Sequence, residues 1–340
     1  MRSFFLFILF VFFLAVVAAG GGAFVLRQEM LREGPHDDDV IVLLEEGSSV
    51  TAIAETLEEA GVLRRPILFV AAAKLKDVTG SLKAGEYRIP KGISVWKLVD
   101  LVEQGKSILH YVTVAEGLTT AQALEVIRAN EELEGELTLT PDEGALLPET
   151  YAFTRGETRD QLVTAMMKAQ TALIDGAWDE RALELPFSTR EDAIILASIV
   201  EKETGVASER PRIAAVFVNR LKRGMRLESD PTIIYGLTGG EPLGRGLRVS
   251  EIKRETPYNT YRIDGLPPTP IANPGKDAIL AVLNPAQTDD LFFVANGDGG
   301  HVFAETLAEH NRNVAEWRRI ERERRAAEAA AAAEAEEPAQ

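Results

Sequence analysis

Cysteine is absent from all 340 residues, which removes disulfide frameworks, thiolate nucleophiles and cysteine metal ligands together. Histidine is nearly as scarce. His36, His110, His301 and His310 are scattered, and none stands in an H-E-x-x-H or comparable metal spacing, so zinc chemistry and histidine-based triads are disfavoured. There is no G-x-S-x-G, no phosphate-cradling G-x-x-x-x-G-K-S/T and no dinucleotide fingerprint. Positive charge is in deficit too: 37 Lys and Arg face 53 Asp and Glu, a formal charge of −16 that repels a polyanion and excludes nucleic acid as an expected partner. The chemistry left to this chain is that of carboxylates.

What is present begins with a run from Phe4 to Leu26 that holds no charged residue. At about 1.5 Å of rise per residue, it is long enough to cross a bilayer core. Residues 1–27 are therefore read as a single-pass anchor in the inner (cytoplasmic) membrane, with Arg2 and the amino terminus cytoplasmic and the body periplasmic. The competing reading is a cleaved signal peptide, because Ala18-Ala19-Gly20 is small enough for a cleavage site. The apolar run continues past that point through Ala23-Phe24-Val25-Leu26, which favours the anchor, although Arg27 and Arg32 lie on the exported side.

Beyond a polar, acidic spacer, Val40 to Leu44 reads as a strand, and Gly47 to Gly61 as a helix with Val50, Ile53, Ala54 and Leu57 on one face. The same phrase of strand, glycine turn, Ser or Thr cap and helix recurs from Tyr87 (Ser94 cap) and from Val112. It reads either as a true repeat or as one α+β module with similar turns. By pattern, residues 38–110 resemble a small LysM-like βααβ module, which implies either glycan docking or a spacer role. Residues 111–320 read as a larger α+β unit with helices near 120–129, 158–177, 189–204 and 209–223. Its later half, Asp230 to Phe303, is rich in Gly, Pro, Tyr and Asn and reads as short strands and long ordered loops. A final helix is expected from about Leu307 to Arg325, running into an Ala/Glu tail, with 321–340 read as disordered or loosely helical.

The helix at 189–204 carries the strongest chemical signal. Ser188 with Glu191 reads as a capping box and Gly205 as a left-handed stop. Between Ala193 and Val200 only Ser198 is polar, so the helix belongs inside a domain, yet Glu201 and Glu203 occupy its last turn. Glu203 continues the stripe of Leu196, Ile199 and Val200, whereas Glu201 follows Ala197 and Ser198. A carboxyl desolvated on that stripe, at the negative end of the helix dipole, would have its pKa raised as a general acid needs. Glu203 is the favoured acid and Glu201 the second choice. The alternative is that both are solvated helix-end residues with Lys202 as local partner.

The next helix reads from Ser208, with Pro211 in its first turn, to Gly224. Lys222 and Arg223 complement its dipole. Asn219 and Arg220 sit on the turn nearest the Ser229-Asp230-Pro231 loop and are the better cleft candidates. Downstream, Tyr258-Asn259-Thr260-Tyr261 offers the aromatic faces and amides that sugar rings need, though such a run also suits a packed turn.

Taken together, Ala197-Ser-Ile-Val-Glu-Lys-Glu-Thr204, Ala214-Ala-Val-Phe-Val-Asn-Arg-Leu221, Gly224-Met-Arg-Leu-Glu-Ser-Asp-Pro-Thr-Ile-Ile-Tyr-Gly236, Tyr258-Asn-Thr-Tyr261, Gly265-Leu-Pro-Pro268 and Ile271-Ala-Asn-Pro-Gly275 resemble, in order, the motif series of MltG-type (YceG-like) endolytic murein transglycosylases. The resemblance covers residues 1 to 320 and leaves the tail beyond Ala326 unmatched. It implies cleavage of nascent peptidoglycan glycan strands in the periplasm, beside peptidoglycan synthases, with no metal or organic cofactor. It also implies that the essential acid lies in Glu201-Lys202-Glu203, on the second glutamate. Two residues apart on a helix, Glu201 and Glu203 point about 160° away from each other and cannot form the carboxyl pair of an ordinary glycosidase. A single acid suffices for a lytic transglycosylase. Under that mechanism Glu203 protonates the oxygen linking MurNAc to GlcNAc, then takes the proton of the muramic C6 hydroxyl as it attacks C1. Asp230, Tyr258, Asn259 and Tyr261 would hold the sugar, with Asn219 beside them and Arg220 meeting a stem-peptide carboxylate. The alternatives are an inert, membrane-anchored peptidoglycan-binding scaffold and a hydrolytic muramidase with Asp230 as base.

Overall fold

The computed structural model describes residues 2–336 and is a mixed α+β protein with an N-terminal apolar helix. Its strands form three two-stranded sheets. The chain divides into two compact units. The first holds the residues up to Tyr111 together with 131–135 and 152–158; the second holds 112–130, 136–151 and the chain from Arg159 onward.

In the first unit, α1 (Arg2–Leu31) is one unbroken helix, followed by β1 (Val40–Leu44), α2 (Val50–Glu59), α3 (Pro66–Leu75), β2 (Gly85–Ile89) and α4 (Val95–Gln104). Ser49 and Ser94 cap α2 and α4 by accepting the Ala52 and Lys97 N–H groups, as their positions before apolar-periodic segments dictate. β1 and β2 pair antiparallel, with Val40 opposite Ile89 and Leu44 opposite Gly85. Alternation along the pleat turns Val42, Leu44, Tyr87 and Ile89 onto the helices, where they meet Leu57, Phe69 and Leu98. Met30, at the end of α1, is also fully buried in this core, so the apolar helix is joined rigidly to the unit.

The remaining elements are β3 (His110–Thr113), α5 (Thr120–Arg128), β4 (Thr150–Phe153), α6 (Arg159–Trp178), α7 (Arg190–Glu203), a 3₁₀ turn (Ala207–Glu209), α8 (Arg210–Lys222), α9 (Asp230–Thr238), α10 (Val249–Lys253), α11 (Lys276–Leu283), β5 (Phe292–Ala295), β6 (His301–Ala304) and α12 (Leu307–Glu336). In the second unit α7 runs through the middle of the core, and every residue from Ala193 to Val200 is buried against neighbours that include α8 and α11. Its one polar member, Ser198, donates to the Ile195 carbonyl and accepts the Ile271 N–H at 3.0 Å, which satisfies a buried hydroxyl.

Several local expectations shift. Thr189, not Ser188, caps α7, accepting the Asp192 N–H at 3.1 Å. The helix ends where Thr204 turns extended (φ −142°), and Gly205 is not left-handed. Gly224 does close the next helix in the left-handed conformation (φ +66°). The stretch after Asp230 holds three helices rather than short strands and loops alone: Pro231 opens α9, Gly239 ends it, and α11 starts from Gly275. The last helix continues to Glu336, past Arg325, because alanine has the strongest helix propensity and Arg319–Glu323 and Arg324–Glu328 pairs bridge successive turns. The remainder of the tail lies outside the described residues.

Candidate active site

Glu203 is the last residue of α7, and the apolar stripe behind it keeps its side chain half-buried. Its Oε1 accepts a 2.5 Å hydrogen bond from the Ser229 hydroxyl. Ser229 is itself buried and rigidly held: its N–H donates to Thr260 Oγ1 at 2.9 Å, and its carbonyl accepts from Thr232 Oγ1 at 2.7 Å. Asp230, the first residue of α9, follows directly, and its Oδ1 accepts the Tyr261 hydroxyl at 2.8 Å. Glu203, Asp230 and Tyr261 open on a cleft of about 260 Å³, whose wall also includes Arg220, Glu228, Phe293 and His310.

Burial pushes the Glu203 carboxyl up to about 7, against the opposing pull of the Ser229 hydrogen bond and the Arg220 charge; the charge of Asp230 adds to the rise. Near neutral pH this group therefore exchanges protons readily. Tyr261 is raised as well, by burial and by the Asp230 carboxylate it donates to, and so remains a neutral donor.

Glu201 behaves differently. Burial raises it too, against the Gly275 N–H and Arg210, but both its oxygens are engaged: Oε2 accepts Gly275 N–H at 2.9 Å and Oε1 lies 3.4 Å from Arg210 Nη2. Arg210 also contacts Glu116 at 3.0 Å and Asp277 at 3.4 Å. Glu201 thus ties the end of α7 to the start of α11. The packing there is close: a Cβ at 275 would sit 1.9 Å from Glu116 Oε1 and would displace that side chain. The helical period has sent the two carboxylates to separate partner sets.

Of the residues expected in the cleft, Glu203, Arg220, Asp230 and Tyr261 come together. Arg220 is buried and spends Nε and Nη1 on the wall, donating to the carbonyls of Leu291, Arg226 and Leu227 and to Glu228. Asn219, Tyr258 and Asn259 do not line that cleft. Asn219 donates to the Thr288 and Asp290 carbonyls. Asn259 is fully buried, donates to the carbonyls of Glu251, Ile252 and Arg254, and accepts the Tyr261 N–H. The Tyr258 hydroxyl pairs with Thr269 at 2.8 Å while its ring packs on Tyr235. An amide that can bond several backbone groups is what an irregular buried loop requires, and both asparagines are used that way, Asn219 for two such groups and Asn259 for four.

Sequence reasoning missed Ser229, Glu228, Phe293 and His310. Ser229 had a signal, a hydroxyl residue just ahead of a helix-opening Asp-Pro, but its side chain caps nothing and reaches Glu203 instead. Glu228 holds a left-handed backbone (φ +55°) on the cleft wall, a conformation that a non-glycine residue keeps only when its surroundings enforce it.

The sequence model of the YceG-like family matches residues 42–316. The chain belongs to the YceG-like family. An endolytic murein transglycosylase of Bacillus subtilis is 32% identical over 299 residues, covering 78% of this chain and 81% of that protein. One of the same name from Streptococcus pneumoniae D39 is 30% identical over 322 residues, and the match covers 80% of this chain but 57% of that longer protein. A solved structure of a yceG-like protein from Listeria monocytogenes is similar with 29% identity and a TM-score of 0.51, covering 81% of this chain and 98% of that one. The resemblance carried by the ordered motifs is thereby borne out.

One prediction follows from the Ser229 contact. Because that hydrogen bond favours the carboxylate, Ser229→Ala should raise the Glu203 pKa further and move the alkaline limb of the activity profile to higher pH, while lowering the maximal rate about tenfold. Ser229→Thr should restore both. A pH–rate profile with an unmoved limb would show the hydroxyl to be packing only.

Proposed function

We propose that this chain is an endolytic peptidoglycan lytic transglycosylase that cleaves the MurNAc–GlcNAc bond without water and leaves 1,6-anhydroMurNAc ends. The observation that carries the reading is a single carboxyl, Glu203, raised to about 7 by burial at the edge of the cleft and fixed through one oxygen by Ser229. The names borne by the relatives point the same way.

With Oε1 occupied as an acceptor, the acidic proton rides on Oε2 and passes to the glycosidic oxygen as the C1–O bond breaks. The carboxylate so formed keeps the Ser229 hydrogen bond and the nearby Arg220 charge. Asp230, oriented by Tyr261, supplies negative charge beside the oxocarbenium-like centre. Glu203 then accepts the proton of the C6 hydroxyl as that oxygen closes on C1. The proton lent in the first half returns in the second, and no water enters.

In the same reading α1 is the anchor: Phe4–Leu31 is long and apolar enough to cross a membrane, and its most apolar stretch is not buried by protein. The body then lies in the periplasm, where nascent strands leave the peptidoglycan synthases. The LysM-like reading gives the first unit either a glycan-docking role or that of a spacer holding the second unit above the membrane.

Mass spectrometry of peptidoglycan strands digested by the purified chain tests the reaction. Ends one water lighter than reducing ends are expected. Reducing ends would instead assign a hydrolytic muramidase using Asp230, and the absence of cleavage would assign a binding scaffold.

A further inference from the structure

We propose that a cavity at the outer end of α1 binds the phosphodiester of an anionic phospholipid through Arg64 and Arg65, seating the first unit on the membrane surface. The proposal rests on the reading of α1 as a membrane span. The cavity, about 380 Å³, is lined by Val25 and Glu29 of α1 together with Arg64, Arg65, Leu68 and Val95. Val25 belongs to the uncharged run ending at Leu26, so the arginine pair is held at the level where hydrocarbon gives way to headgroups. No linker loosens that placement: α1 is continuous to Leu31, and Met30 is fully buried in the core of the unit.

The charge of the site suits a phosphate. Arg64 and Arg65 are exposed, and among the described residues neither has an ion-pair partner. The wall also holds Arg32, Glu29 and Glu33; Arg32 and Glu29 lie 3.7 Å apart, and three arginines against two glutamates leave one net positive charge. A chain carrying −16 overall is repelled by an anionic leaflet, so a cationic spot at the point of contact has an electrostatic purpose. The rest of the lining is apolar, with Val62, Leu63 and Leu68 offering a surface for glycerol and acyl carbons. Ile67, beside Arg65 at the start of α3, is 66% exposed, as an interfacial side chain would be. Free inorganic phosphate would use the arginines but not these walls.

The test uses the full chain in detergent, offered equal phosphatidylglycerol and phosphatidylcholine, with retained lipid counted by native mass spectrometry. Wild type should retain phosphatidylglycerol about tenfold over phosphatidylcholine, and Arg64→Gln/Arg65→Gln should lose that preference, with Arg64→Lys/Arg65→Lys recovering part of it. Cleavage of detached glycan strands should be the same in all three. Equal preference in wild type and the glutamine variant overturns the proposal, as does displacement of phosphatidylglycerol by millimolar inorganic phosphate. Carbonate extraction of membranes reports on α1 separately: release of wild type would overturn the span, whereas retention of the glutamine variant with lost lipid preference supports both.

Discussion

Glu203→Gln is expected to lower strand cleavage about 10³-fold in kcat, with substrate affinity little changed, because the isostere keeps shape and the Ser229 contact but cannot give or take the proton. The same change should stabilise the protein, and only at higher pH. A carboxyl whose pKa rises from 4.5 to about 7 on folding carries no penalty below its unfolded value, a growing one between the two, and the full one above 7. At about 1.4 kcal/mol per unit, the ceiling is about 3 kcal/mol, recovered by glutamine at pH 8 and not at pH 4. Thermal unfolding at the two pH values measures it. An equal shift at both would mean that burial is not what perturbs Glu203, and residual anhydro-end formation by the variant would remove it as the acid.

Arg210→Leu should be the most damaging single change outside the cleft, costing about 3–5 kcal/mol. The Arg210 side chain is 10% exposed and serves Glu116, Glu201 and Asp277 together. Glu116 and Asp277 are exposed enough to rehydrate when it is lost, but the Glu201 side chain is only 6% exposed and would be left as a buried charge without a cation. Denaturant unfolding should show the loss, and Arg210→Leu made on a Glu201→Gln background should recover most of it, since the amide oxygen still accepts the Gly275 N–H. If the two backgrounds suffer equally, the damage is lost packing and not an orphaned carboxylate. Cleavage should fall in parallel, because this cluster fixes the end of α7 from which Glu203 projects.

How far the site was legible depended on how local its determinants are. Glu203 could be read because its position on the stripe of Leu196, Ile199 and Val200 is a matter of helical period, and burial along that stripe follows from the same pattern. Asn219, Tyr258 and Asn259 fall outside the cleft that holds Glu203, since residue type alone does not distinguish an amide or phenol that lines a cleft from one that holds a loop. In the Tyr258–Tyr261 run, Asn259 and Thr260 are fully buried, Tyr258 bonds Thr269, and Tyr261 alone reaches the cleft. His310 and Phe293 were invisible for a related reason: they arrive from α12 and β5, and no spacing relates them to α7.

By itself, then, the order of residues determined that α7 is a buried rod and that its two terminal glutamates face apart, since a rotation of about 100° per residue admits no other arrangement. Only the tertiary structure decided which partners set the proton affinity of each. A carboxyl's proton affinity depends on the water excluded and the charges brought near, and those come from distant elements: Arg210 and Gly275 hold Glu201 in a structural tie, while Ser229, Asp230 and Arg220 leave Glu203 able to exchange its proton.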